Sequence, residues 1–203
     1  DETITGYVGE EYTTEVADNV DVAYEYVSVS GNTTGEIVED RTEVIYYYKL
    51  KEAIIDSEIT KTTETEEIAT AEQEVPYEIV YNASITAYRG DATVTIVDFL
   101  PYEIDEEASS LDDGEYDSLT KTISWTETIE NIDTYTEGTR NISIIKNITV
   151  VYTGVDASQD SLTNKVEGTI NLEETDQTDV VEETEETPIT IPGMVIVKYL
   201  EEG

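Results

Sequence analysis

Alternation of apolar and polar residues is the feature that most limits how this chain can fold. Along Thr42-Glu43-Val44-Ile45-Tyr46-Tyr47-Tyr48-Lys49-Leu50, an extended backbone puts Val44, Tyr46 and Tyr48 on one face. The same period of two predicts strands over Tyr24–Val29, Tyr77–Ile85, Ala92–Val97, Lys121–Thr126, Asn141–Tyr152, Asn164–Leu172 and Met194–Leu200. Turn signals separate them: Ser30-Gly31-Asn32, Arg89-Gly90-Asp91, Asp112-Asp113-Gly114, Glu137-Gly138 and Pro192-Gly193. The apolar residues are mostly Val, Ile and Tyr, and Thr occurs 31 times, all of which suit a pleated, half-buried surface. No segment sustains a 3.6-residue period, and only Gly9–Val20 offers a helical turn. An all-β protein is expected.

Two boundaries follow from breaks in the pattern. One falls near Lys51–Ile55, where one strand series ends and another begins; the other falls near Thr187–Pro192, where Pro188 and Pro192 stiffen the path. The central part, residues 52–191, has the size and strand spacing of an immunoglobulin-like β-sandwich. The flanking pieces, 1–51 and 192–203, are each too small to fold well alone.

Charge narrows the partners. With 48 Asp and Glu against 10 Lys and Arg, the formal charge is -38, which repels a phosphate backbone or an anionic lipid surface. No nucleic acid and no membrane insertion are expected, the latter because no run of about 18 apolar residues exists. The chain has no His and no Cys, so zinc fingers, thiol nucleophiles and Ser-His-Asp triads are excluded, and any metal would need oxygen ligands alone. The absence of Cys suits an exported protein that avoids disulfides as well as a cytosolic one. The chain opens at Asp1 in mid-pattern, as a mature piece or a fragment would.

The two ends carry one set of motifs. Ile4-Thr5-Gly6-Tyr7-Val8-Gly9-Glu10-Glu11-Tyr12-Thr13 is followed by Tyr24-Glu25-Tyr26-Val27, by Gly31-Asn32-Thr33-Thr34-Gly35 and by Val44-Ile45-Tyr46-Tyr47-Tyr48-Lys49. This series resembles the mucin-binding-protein (MucBP) repeats of bacteria, a small β-grasp-like module. The resemblance implies an opening strand that residues 1–51 lack, and Val195-Ile196-Val197-Lys198-Tyr199-Leu200-Glu201-Glu202-Gly203 resembles it. The expectation is that residues 192–203 supply the first strand of a MucBP-like module in the next copy, or fold back into their own. Copies would then assemble head to tail, joined by peptide bonds or by strand donation.

The middle carries a second set: Ile59-Thr60-Lys61-Thr62, Tyr77-Glu78-Ile79-Val80-Tyr81-Asn82, Val97-Asp98-Phe99-Leu100-Pro101, Ile123-Ser124-Trp125 and Thr163-Asn164-Lys165-Val166-Glu167-Gly168-Thr169. These resemble the prokaryotic surface repeats catalogued as the eleventh domain of unknown function, akin to collagen-adhesin sandwich domains. That resemblance implies an intramolecular Lys–Asn isopeptide bond between the first and last strands. Such a bond needs a neutral lysine, an asparagine amide beside it and a buried carboxylic acid to shuttle protons. Lys61, Asn164 and Asp98 are the candidates, with Glu78 as an alternative acid.

Other motifs are weaker. Asn32, Asn82, Asn141 and Asn147 head Asn-x-Ser/Thr sequons and are candidate glycosylation sites. Among the acidic clusters, Asp112, Asp113 and Glu115 are the best candidates for Ca²⁺, although a solvated hairpin turn explains them as well. The carboxylates are spread along strands and turns without a distinctive pair, so no enzymatic turnover is expected. The expected function is a structural repeat or subunit of an extracellular prokaryotic surface fibre, stalk or sheath; the alternative is an adhesin module that binds mucin or other glycans.

Overall fold

A computed structural model describes residues 3–192 of the 203. The strand expected over Met194–Leu200 lies outside the described residues.

The first four strands are β1 (Glu11–Thr13), β2 (Tyr24–Ser30), β3 (Thr34–Glu36) and β4 (Ile45–Leu50). They form two antiparallel pairs, β1–β3 and β2–β4. Tyr26 on β2 packs on Tyr46 and Tyr48 of β4, with ring centroids 6.2 Å apart in each case, and Tyr47 points the other way into solvent. Little else is buried here. Up to Leu50, Ala23 is the one fully buried apolar residue among the described residues, while Tyr24, Tyr26, Val27 and Ile45 stay exposed. The helical turn expected over Gly9–Val20 does not form. Gly9 takes φ +93 and closes a turn in which the Glu10 N–H donates to the Tyr7 carbonyl at 3.0 Å, so Glu11-Tyr12-Thr13 emerge extended against β3.

Strands β5 (Ile54–Thr62), β6 (Glu74–Thr86), β7 (Arg89–Phe99), β8 (Glu115–Asp117), β9 (Thr122–Asp133), β10 (Arg140–Val151), β11 (Ser161–Leu172) and β12 (Gln177–Pro188) build the rest, with one helical turn, α1 (Thr134–Glu137). They form two antiparallel sheets, of order β10-β6-β5 and β12-β11-β7-β9-β8. The inward positions of β6 are Val75, Tyr77, Ile79, Tyr81, Ala83 and Ile85; they face Ala92, Val94 and Ile96 of β7 and Leu162, Val166, Ile170 and Leu172 of β11. Each such Ile or Leu stabilises the fold by about 1.5–3 kcal/mol relative to leaving it in water. The fold class expected from alternation is the one observed.

Strand β12 closes one side of the sandwich. It pairs with β11 throughout, and its side chains reach the opposite sheet: the Ser57 hydroxyl of β5 donates to Asp179, and just before β5 the Ala53 N–H donates to Gln177 Oε1 at 2.7 Å while Gln177 Nε2 donates to the Ala53 carbonyl at 3.1 Å.

Candidate crosslinking site

Three strands from the two sheets aim polar side chains at one point in the core. On β5, Ile55, Ser57, Ile59 and Lys61 take the inward positions, and Lys61 lies opposite Ile79 of β6. On β7, Asp98 follows Ala92, Val94 and Ile96 inward; on β11, Val166 lies opposite Asp98 and Asn164 is the next inward residue. Period two thus places a lysine, an acid and an amide where leucines would otherwise sit. Lys61 is 2 % exposed, and Asp98 and Asn164 are fully buried.

The Lys61 ammonium nitrogen hydrogen-bonds Asp98 Oδ1 and sits 4.4 Å from the centre of the Tyr77 ring. Asn164 Nδ2 donates to the Tyr152 hydroxyl at 3.1 Å, and Tyr152 donates in turn to the Tyr77 hydroxyl at 3.3 Å. Two buried oxygens nearby lack a hydrogen-bond partner: Asp98 Oδ2 and Asn164 Oδ1. Burial pushes the Asp98 carboxyl above its ordinary range, against the pull of Lys61 and the Asn164 amide. Burial likewise pulls the Lys61 amine down, against Asp98 and Glu185. Both shifts favour the same state, a neutral amine beside a protonated carboxyl. Tyr77 and Tyr152 are pushed up, chiefly by burial, and keep their protons.

The remaining candidates lie elsewhere. Glu78 is exposed on the outer face of its sheet, opposite Thr62 and Asn147, because it alternates with the inward Tyr77 and Ile79. It cannot serve as the buried acid. Asn164 lies on β11, one strand before the last of the sandwich, so the expected first-to-last geometry becomes first to penultimate. Asp112 and Asp113 both take positive φ in a tight turn, and Asp112 Oδ2 accepts the Asn147 N–H at 2.8 Å while its carbonyl accepts Trp125 Nε1 at 2.9 Å. Among the described residues, no three His, Cys, Asp or Glu side chains converge. Asn32, Asn141 and Asn147 are exposed; Asn82 is half-buried and donates to Glu58 Oε1 at 3.2 Å.

Sequence reasoning assigned no role to Tyr77 or Tyr152. The available signal was register, since Tyr77 shares the inward face with Ile79, two residues from the strand position opposite Lys61.

Residues 1–49 match the MucBP domain family. This is the segment that carries the Ile4–Thr13, Gly31–Gly35 and Val44–Lys49 motifs. No curated protein matches the chain. Among solved structures, AggA, the major subunit of aggregative adherence fimbriae type I from Escherichia coli, is similar at 11% identity and a TM-score of 0.31, over 68% of this chain and 96% of that one. BcpA, the major pilin subunit of Bacillus cereus, is similar at 10% identity and a TM-score of 0.37, over 92% of this chain and 64% of that one. Likenesses of this size carry nothing about what the present chain does.

Proposed function

We propose that this chain is a non-enzymatic building block of an extracellular prokaryotic surface fibre, stalk or sheath, whose sandwich is locked by an isopeptide bond between Lys61 and Asn164. The observation that carries the reading is the buried cluster of Lys61, Asp98 and Asn164 at the meeting of the two sheets. Lys61 yields a proton to Asp98, and the free amine attacks Asn164 Cγ. The protonated carboxyl polarises the amide oxygen. A bond forms between Nζ and Cγ, the Cγ–Nδ2 bond breaks, and one proton passes from Nζ to the departing nitrogen, which leaves as ammonia. No oxidant or cofactor is needed.

Closing a loop of about 100 residues is worth roughly 4.7 kcal/mol on the chain-entropy scale used for disulfides. In a chain without cysteine, that tie suits a module that bears load. The test is the intact mass of the purified protein. A deficit of roughly 17 Da, one ammonia, against the sequence mass is expected; the full mass overturns the crosslink.

The β2–β4 pair supports head-to-tail assembly. It buries little on its own, and among the described residues each strand leaves one edge without a neighbour, which is the condition for accepting a further strand. Val195–Leu200 of an adjacent copy is the segment we propose for it, by its resemblance to the opening strand of MucBP repeats. The MucBP match over residues 1–49 also supports a second reading, adhesion to mucin or another glycan. Electron micrographs separate the two: regular filaments of purified protein support the fibre, and dispersed monomers retained on a mucin column support the adhesin.

A further inference from the structure

The Asn164 amide has two unlike ends, and the crosslink works with only one of the two orientations. Its oxygen must face the proton of Asp98, and its nitrogen, the leaving group, must face away. We propose that Tyr152 is the positioning residue that sets this orientation; the inference rests on the crosslink proposed above. Tyr152 is 2 % exposed and its hydroxyl receives the Asn164 Nδ2–H at 3.1 Å. A phenol could equally donate to the amide oxygen and hold the amide the wrong way round. Here that proton is committed, because Tyr152 donates to the Tyr77 hydroxyl at 3.3 Å. What Tyr152 offers Asn164 is therefore a lone pair, which selects the nitrogen.

With Nδ2 held by Tyr152, Oδ1 is the end left without a partner, as is Asp98 Oδ2. In this structure the Asn164 N–H also draws on the Asp98 carboxylate; in the reactive arrangement a proton on the Asp98 carboxyl bridges to Oδ1 and activates the amide. Were the amide reversed, that proton would meet an NH₂ group and find no acceptor. Tyr77 sits at both ends of the arrangement. Its hydroxyl takes the Tyr152 proton, and its ring lies 4.4 Å from Lys61 Nζ.

The test follows freshly synthesised chain in a cell-free translation reaction, with intact mass read against time after acid quenching. Tyr152→Phe keeps the ring and removes the hydroxyl, and bond formation should slow about five- to tenfold, the effect of one neutral hydrogen bond. Tyr77→Phe, which frees the Tyr152 proton, should slow it in the same direction.

The decisive arm repeats Tyr152→Phe in an Asn164→Asp background. There the amine displaces water, roughly 18 Da, and the carboxyl has two interchangeable oxygens with no wrong orientation. Tyr152→Phe should then leave the rate nearly unchanged. Equal slowing in the Asn and Asp backgrounds would reveal a general packing role and overturn the proposal, and so would unaltered rates in both. A wild-type chain that keeps its full mass would remove the crosslink itself and this inference with it.

Discussion

Lys61 and Asp98 hydrogen-bond across the interior of the sandwich, from strands of different sheets, and both side chains are wholly shielded from water. As an ion pair this would cost heavy desolvation of two charges. The burial that raises Asp98 and lowers Lys61 works against that cost by favouring transfer of one proton from nitrogen to oxygen. In that state the two groups remain hydrogen-bonded and neither is charged.

That exchange has a pH signature in Asn164→Ala, which keeps the pair and cannot crosslink. The raised Asp98 carboxyl alone would stabilise fully below its unfolded value of 3.8 and lose that as pH rises. The lowered Lys61 amine alone would stabilise above its unfolded value of 10.5 and lose that as pH falls. Where burial drives the proton onto Asp98, the folded pair holds one proton between those values, as the unfolded pair does on Lys61. Their opposite slopes cancel. Urea unfolding of Asn164→Ala, referred to the same variant with Lys61→Met and Asp98→Leu added, should give a difference that is flat from about pH 5 to 9 and falls beyond both ends. A steady slope through the neutral range would show that folding changes the pair's proton count.

Gly168 makes a second, purely steric prediction. A Cβ built there would lie 2.6 Å from Tyr81 Cδ2 and 2.8 Å from its Cε2, with Ile59 Cδ1 at 3.1 Å. Tyr81 is fully buried, so the ring cannot move aside without displacing its neighbours in the core. Gly168→Ala should lower stability by about 1–3 kcal/mol, the usual cost of overpacking. Urea midpoints measured in the Asn164→Ala background check it, and an unchanged midpoint would mean that the two sheets separate more easily than this packing implies.

The strands that were legible from sequence are those in which alternation meets a two-sided environment. Along β6, β7 and β11 every second residue is buried, and apart from Asp98, Asn164 and Gly168 those residues are apolar. Lys61, Asp98 and Asn164 were found through their place in a resemblance, since composition alone makes a buried lysine improbable. Strand β12 was not legible. Its run from Asp179 to Glu186 is mostly acid and Thr, and it is a strand because β11 supplies a backbone partner along its whole length. Glu78 misled for the converse reason: apolar neighbours on both sides mark a strand, yet put the residue between them on the wet face. Tyr152 escaped because its importance lies in a hydroxyl contact with a residue from another strand, which no local pattern records.

Uneven burial along the chain predicts an order of proteolysis. Among the described residues, strands β1 to β4 are short, pair two by two and bury almost nothing, while β5 to β12 share one core. Segments with few buried contacts open at low free-energy cost. Limited digestion with thermolysin, which cuts at apolar residues, should first cleave within residues 3–50, where Ile4, Val8, Val16 and Val22 are exposed, and leave a resistant fragment that contains residues 54–188. First cuts within β6, β7 or β11 would contradict this order.

Lys165 is the place where the overall charge of -38 acts on a particular contact. Glu167 of β11 and Glu182 of β12 face each other directly, a pairing of like charges that weakens a sheet. The Lys165 ammonium lies between them, bonded to Glu182 and 3.8 Å from Glu167, and 5.6 Å from the centre of the Phe99 ring. All three groups reach solvent, so their interaction is open to screening by salt. Lys165→Met should therefore destabilise the chain at low ionic strength, and sodium chloride at about 0.5 M should recover most of the loss by screening the two glutamates. Thermal unfolding of both proteins across a salt series decides it: a deficit that stays constant with salt would assign the effect to lost packing against Phe99.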